Sequence, residues 1–111
     1  MTQLCVGELP DEATAAAARF HAEVLPRVLA EIASAPGSLV LAFAPAGPEH
    51  RGWRLAAVQG LAREHAPLRI NAVESDDEAA IAAAIRYLDS APGVTGQLLP
   101  LDGSGAGEVL S

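Results

Sequence analysis

The sequence predicts an α/β fold built on a parallel β-sheet. Alanine-rich blocks with apolar residues at helical spacing alternate with short β-type runs, which gives the order strand, helix, strand, helix, strand, helix, strand. The central run, Ser38 to Phe43, is almost continuously apolar, as is typical of a parallel strand covered on both faces. The chain has 111 residues and 50% of them are apolar, which suits one domain with its own core.

The first strand and the first helix are separated by a proline and an aspartate. The strand is predicted over Gln3 to Gly7, and Asp11 is the expected N-cap of a helix that runs to about Ala35. Apolar side chains surround most of this helix, so that it must bury two sides. Pro26 lies within it and is expected to kink it. The lone cysteine, Cys5, stands in an apolar run and is predicted to be a buried small hydrophobe.

Two helices and two strands follow the central strand. A helix from about Arg51 to Ala66 contains Gly60, which costs roughly 1 kcal/mol relative to alanine and is best explained by close approach of another backbone. Leu68 to Val73 is the third strand. A capping box, Ser75-x-x-Glu78, opens the third helix, which ends near Ser90. The last strand is predicted over Gln97 to Leu101.

Charge and composition exclude several classes of protein. The formal net charge of −7 argues against binding to nucleic acid or to anionic membranes. No apolar run reaches the ~18 residues that a membrane span needs, and the N-terminus has no readable signal peptide. The three histidines have no metal-ligand spacing. We therefore expect a cytoplasmic protein, folded as a single domain over residues 1–111, with 103–111 as a flexible tail.

Three segments resemble the second half of the short-chain dehydrogenase/reductase family. They are Leu25-Pro-Arg-Val-Leu29 leading into Gly37-Ser-Leu-Val40, the run from Leu61 to Val73, and Val94-Thr-Gly-Gln97 closed by Asp102-Gly103, of which the last is the most specific. The resemblance implies a truncated Rossmann-like fold with four parallel strands in the order 1-2-3-4 and three helices. Right-handed crossovers alone would leave one face of this sheet bare. The resemblance implies three layers instead, with the last helix on the opposite face from the others.

The chain departs from the family at each element that supports catalysis. The family uses a lysine four residues after a tyrosine, whereas this sequence contains no lysine. The family's serine, tyrosine and lysine positions fall near Ala44, Gly47 and Arg51, and an arginine stays protonated at any working pH. The glycine-rich dinucleotide loop belongs to the missing first half. We therefore expect a degenerate domain that binds no nicotinamide cofactor and is not an enzyme.

The leading functional interpretation is a dimerising scaffold or a partner subunit. In the family, the helices that match the first two of this chain form a four-helix interface between subunits, which implies a homodimer. The expected interface combines one flank of the first helix, namely Phe20, Val24 and Val28, with Ala56 and Gly60 of the second. A different protein as the partner stays open.

A second interpretation is a small-molecule binding protein or an enzyme with chemistry unrelated to nicotinamide. Glu49, Arg51 and Trp53 follow the carboxyl end of the second strand, and Glu74 follows that of the third. Ligands of open α/β sheets gather at this edge. The competing interpretation is that the acids complement helix N-termini and that Trp53 packs in an interface.

The truncation also changes the position of the first strand. In the family its counterpart is paired on both sides, so loss of the first half leaves an edge with free N–H and C=O groups. Such an edge invites pairing with another chain. The sequence therefore predicts that this edge is covered by the tail or paired with a second chain.

Overall fold

The computed structural model describes residues 1–34 and 37–101, so the predicted tail, 103–111, lies outside the described residues. Four strands form one sheet, all pairs are parallel, and the spatial order follows the chain order. This confirms the predicted order 1-2-3-4. The strands are β1 (Thr2–Cys5), β2 (Ser38–Phe43), β3 (Arg69–Glu74) and β4 (Leu98–Pro100).

Helices make all three connections between the strands. The first connection contains α1 (Ala13–Arg19), a π-helical segment (Phe20–Val24) and α2 (Leu25–Ala33), which follow one another without a break. A 3-10 turn, Pro48–His50, leads into α3 (Arg51–Glu64), and α4 (Glu78–Asp89) precedes β4. Within the described residues, no helix combines the length and the apolar character that a membrane crossing requires.

Strand β2 lies at the centre of three layers. All six of its residues are buried. Leu39, Leu41 and Phe43 belong to an apolar cluster with the π-helical segment, α2 and α3. Val40 and Ala42 belong to a second cluster, on the other face, with α4. The last helix therefore covers the opposite face of the sheet, as expected.

The first helical connection widens just before Pro26. A proline has no N–H to donate, and in a regular helix its ring collides with the carbonyl four residues earlier. Here the N–H of Leu25 bonds to the carbonyl of Phe20, five residues back, so the turn before the proline is wider than an α-helical turn. A π-helical segment therefore stands immediately before Pro26, where the sequence predicted a kink.

The π-helical segment also keeps one apolar side on the sheet. The buried residues of this helix, Ala16, Phe20, Val24 and Val28, recur every fourth residue. At about 100° per residue, each step of four advances by about 40° around a regular helix, so this row would turn away from the sheet. The wider segment rotates less per residue and brings Val24 and Val28 back onto it.

Cys5 is exposed, so the prediction that it is buried was wrong. Side chains alternate across β1, and Leu4 and Val6 enter the cluster beneath α1–α3. Cys5 points to the other face, where α4 packs over Val40 of β2 and Val73 of β3 and not over β1. An apolar run of residues does not reveal that one face of an edge strand lacks a cover.

Two predicted helix caps are also corrected. Residue 12 precedes α1 and no side-chain hydrogen bond caps this helix, so Asp11 is not its N-cap. Asp77 caps α4, because its carboxylate accepts hydrogen bonds from the amides of Ala79 and Ala80. Ser75 acts one step earlier: its hydroxyl oxygen accepts the N–H of Asp77 at 2.9 Å and so shapes the turn before the helix.

Asn71 ties the segment before β4 to β3. Its side chain is fully buried. Its Nδ2 donates to the carbonyl of Val94 at 3.1 Å, and its Oδ1 accepts the N–H of Gln97 at 3.0 Å. Gly96, between these two partners, has φ +72°, a conformation that favours glycine. The buried side-chain amide of Asn71 thus positions the loop that leads into β4.

We predict that Asn71→Leu lowers the free energy of unfolding by about 2–4 kcal/mol, because both hydrogen bonds are lost and two backbone groups are left unpaired. Urea unfolding followed by circular dichroism measures this loss. The control is Gln97→Ala at an exposed side chain, which should stay within about 0.5 kcal/mol of the wild type. Equal stabilities for the two variants would contradict the role given to Asn71.

Candidate functional site

A cleft of about 280 Å³ lies at the carboxyl ends of β1 and β2. Its walls come from the loop after β1, the loop after β2 and the start of α3. The lining residues that matter for the chemistry are Asp11, Ala44, Gly47, Glu49, His50 and Arg54. This is the edge at which parallel α/β sheets bind their ligands.

Arg54 is the main polar residue of the cleft, and the sequence did not identify it. Its side chain is only 4% exposed and Glu74 is 15% exposed. Nη1 of Arg54 donates to a carboxylate oxygen of Glu74 at 2.8 Å and to the carbonyl of Ala44 at 2.9 Å. The guanidinium therefore joins α3 to the carboxyl ends of both β2 and β3.

Aromatic rings surround the same guanidinium. Its central carbon lies 4.5 Å from the ring centroid of Phe43 and 5.7 Å from the ring of Trp53. Both distances are within the range of cation–π attraction. The Nε atom of Arg54 is buried and has no hydrogen-bond partner among the described residues. The group is therefore held firmly while part of its donor capacity is unused.

His50 connects the two loops of the cleft, and its partners determine its tautomer. The indole N–H of Trp53 can only donate, so Nδ1 of His50 is the acceptor of their 3.2 Å hydrogen bond. Nε2 then carries the hydrogen and donates to the carbonyl of Asp11 at 2.8 Å. Because both ring nitrogens are bonded within the chain and the residue is 3% exposed, His50 has a structural role here.

The four residues predicted to form a site do not converge on it. Glu49 lines the cleft, but Arg51 is exposed and is not among the lining residues. Trp53 is half-buried, and its ring lies 5.4 Å from that of Phe20 and 5.8 Å from that of Phe43, so it packs inside the chain. Glu74 reaches the cleft only through its ion pair with Arg54.

A signal for Arg54 is nevertheless present in the sequence. Arg54, Val58 and Leu61 share the buried side of α3, at spacings of four and three residues. A charged residue in such a row requires a buried partner. Glu74, at the end of a strand beside this helix, is the acid that meets the requirement.

The positions that match the family's serine and tyrosine lie in the cleft. Ala44 and Gly47 are both lining residues, and neither can transfer a proton through its side chain. No serine, tyrosine or lysine is found among the described residues that line this cleft. Within residues 1–34 and 37–101, no cluster of three or more His, Cys, Asp or Glu residues has a geometry that could hold a metal ion.

Comparison with known proteins identifies the family. A family model described as short chain dehydrogenase-like protein (SDR-like) matches residues 4–101. The chain belongs to the SDR-like family. No curated protein and no solved structure matches it. The match begins within β1 and includes β2, β3 and β4 of the SDR-like chain, in agreement with the resemblance of its strand and helix motifs.

The residues expected at a dimer interface lie in two different environments in the SDR-like chain. Phe20, Val24 and Val28 are 0%, 4% and 0% exposed, because this flank of the helix faces the sheet. They are therefore inside the core and not on a surface. Ala56 is exposed and Gly60 is partly exposed on α3. A contact between chains through these helices must use their outer side.

We predict that Arg54→Met lowers the free energy of unfolding by about 3–5 kcal/mol, because it leaves the Glu74 carboxylate buried without a counter-charge. Combining it with Glu74→Leu should cost less than the sum of the two single changes, with a coupling of about 1–3 kcal/mol in a double-mutant cycle. Chemical denaturation of the four proteins measures the coupling. Arg51→Met, at an exposed position on the same helix, is the control. Additive losses for Arg54 and Glu74 would show that the pair is not coupled.

Proposed function

We propose that this SDR-like chain is a non-catalytic domain that acts as a dimerising scaffold or as a partner subunit. The observation that carries the proposal is the composition of the cleft. Ala44 and Gly47 stand where the family has its catalytic serine and tyrosine, and the two buried polar side chains of the cleft, His50 and Arg54, are hydrogen-bonded to their own chain. A general acid or base must be free to reach the proton that it transfers.

The outer side of the helical layer supports binding to another protein chain. Leu29 is 43% exposed, and no other large hydrophobic side chain among the described residues is as exposed. Leu25 and Ile32, on the same side of α2, are only partly covered. Apolar side chains on one exposed flank favour association, because contact with a second chain removes them from water.

Small residues of α3 adjoin this flank and permit close packing. A groove of about 230 Å³ runs between the first helical connection and α3, and it is lined by Leu25, Ala56 and Gly60 among others. Apart from its chain neighbours and the adjacent backbone of α3, no heavy atom of the described residues lies within 4 Å of the position that a Cβ would take at Gly60. No other element of the chain therefore packs closely against this glycine. In the proposed dimer, a helix of the second copy packs there.

A small-molecule site is the second candidate. The observation that favours it is a cleft of about 280 Å³ at the ligand-binding edge of the sheet, with Glu49 and Arg54 among its lining residues. A thermal-shift screen separates the two functions, because a ligand that binds only the native state raises the unfolding midpoint. A hit that is lost in Arg54→Met would favour the site, provided that melting is compared with the same variant without ligand.

We predict that the protein does not bind NAD(H) or NADP(H). The reason is that its sequence contains no lysine and that the described cleft offers no serine or tyrosine. Isothermal titration calorimetry with each of the four cofactors tests this. Saturable binding at about micromolar concentration, which corresponds to about −8 kcal/mol, would refute the non-catalytic interpretation.

We predict that Gly60→Leu converts a homodimer into a monomer, because the new side chain fills the space that a second backbone would approach. Light scattering across a concentration series measures the mass. Gly52→Leu is the matched control: this glycine lies on the same helix, it also has open space at its Cβ position, and the change brings a similar gain in helix propensity. A wild type that is already monomeric at high micromolar concentration would defeat the dimer proposal.

A further inference from the structure

The outer edge of β1 carries backbone groups that point away from the sheet. Val6 donates its N–H to the carbonyl of Ala42 at 3.0 Å, and Cys5 is paired in register with Ala42. In a parallel ladder, alternate residues direct both of their backbone groups to the same neighbour. Leu4 and the N–H of Val6, just beyond β1, therefore face β2, whereas Gln3 and Cys5 direct their N–H and C=O groups to the open edge.

Arg27 occupies part of this edge. Its Nη2 donates to the carbonyl of Cys5 at 3.3 Å and to the carbonyl of Val6 at 3.2 Å. The carbonyl of Cys5 is one that an added strand would need, and the carbonyl of Val6 stands at the end of β1. The guanidinium of Arg27 extends from α2 over the side of the sheet. It thus occupies the position that the N–H donor of a neighbouring strand would take.

We propose that Arg27 is a gate on the β1 edge, which keeps the sheet from accepting an extended strand. Among the described residues, only Gln3 of β1 has both of its outward backbone groups unbonded while Arg27 is in place. Release of Arg27 frees the carbonyl of Cys5 and leaves a continuous edge, to which β1 of a second copy pairs across a two-fold axis. Charged side chains at strand edges are a general means of preventing such pairing.

Arg27 differs in this respect from the other arginine on the same side of the helix. Arg19 forms an ion pair with Glu23 at 3.3 Å, and both side chains are more than half exposed. Such a pair has little effect on stability. Arg19 also has the same formal charge and belongs to the same helical connection. Arg19→Met is therefore a matched control, because it removes one positive charge and leaves Arg27 on the β1 edge.

The test is Arg27→Met, which keeps an unbranched side chain and removes the donors. Light scattering should give a higher mass than the wild type at high protein concentration and no increase for Arg19→Met. Closed two-fold pairing predicts that the mass doubles once the helical dimer is absent. Hydrogen exchange should slow about tenfold or more at the amides of Gln3 and Cys5 in concentrated Arg27→Met. In the wild type these two amides should exchange as in a free peptide at every concentration.

A second substitution tests whether the gain in mass comes from strand pairing. Gln3→Pro removes an outward N–H without affecting the bonds to β2, and added to Arg27→Met it should restore the wild-type mass. The doubling should also occur in a Gly60→Leu background, so that this proposal does not depend on the helical dimer. If Arg27→Met does not fold, Arg27→Ala provides the comparison, because it also removes the charge and every donor from the edge.

Three results would overturn the gate. One is a folded Arg27→Met protein with the mass and amide exchange of the wild type. Another is a wild type whose Gln3 and Cys5 amides are already protected in concentrated solution, since the edge would then be paired with Arg27 in place. The third is an equal rise in mass for Arg19→Met, which would show that loss of one positive charge is enough to cause association.

Discussion

Burial of β2 on both faces is the constraint on which the rest of this structure depends. Its six residues are all buried, and they enter two separate apolar clusters. A parallel sheet with one bare face would expose half of these side chains to water. The last helix must therefore cross to the face that the earlier helices leave open. The three-layer arrangement, with helices on both faces of the sheet, follows from this requirement.

The strand order could be predicted because its signals are local. Each strand is a short run with helical sequence between it and the next, and parallel neighbours follow from such connections. The environment of Cys5 could not be predicted, since its exposure depends on how far α4 extends across the sheet. The cap at Asp77 was missed because Ser75 and Glu78 match a capping box, although the chain turns two residues later.

The candidate site was the least predictable part, because it depends on one long-range pair. Arg54 and Glu74 are twenty residues apart in the sequence. Proximity to the ends of the strands pointed to the same edge of the sheet as the cleft, but it selected Arg51, one helical turn away on the exposed side. In the SDR-like fold seen here, the edge that normally carries catalysis holds a buried ion pair, and this pair joins three elements of the scaffold.

The wide turn at Phe20–Val24 has a consequence for how this helix can change over time. A π-helical segment accommodates one more residue than a regular turn while the helix on either side continues. Insertions and deletions in most helices rotate every later side chain away from its neighbours. Here the loss of one residue would return the wide turn to a regular one, so the first connection can shorten by a residue without losing its contact with the sheet.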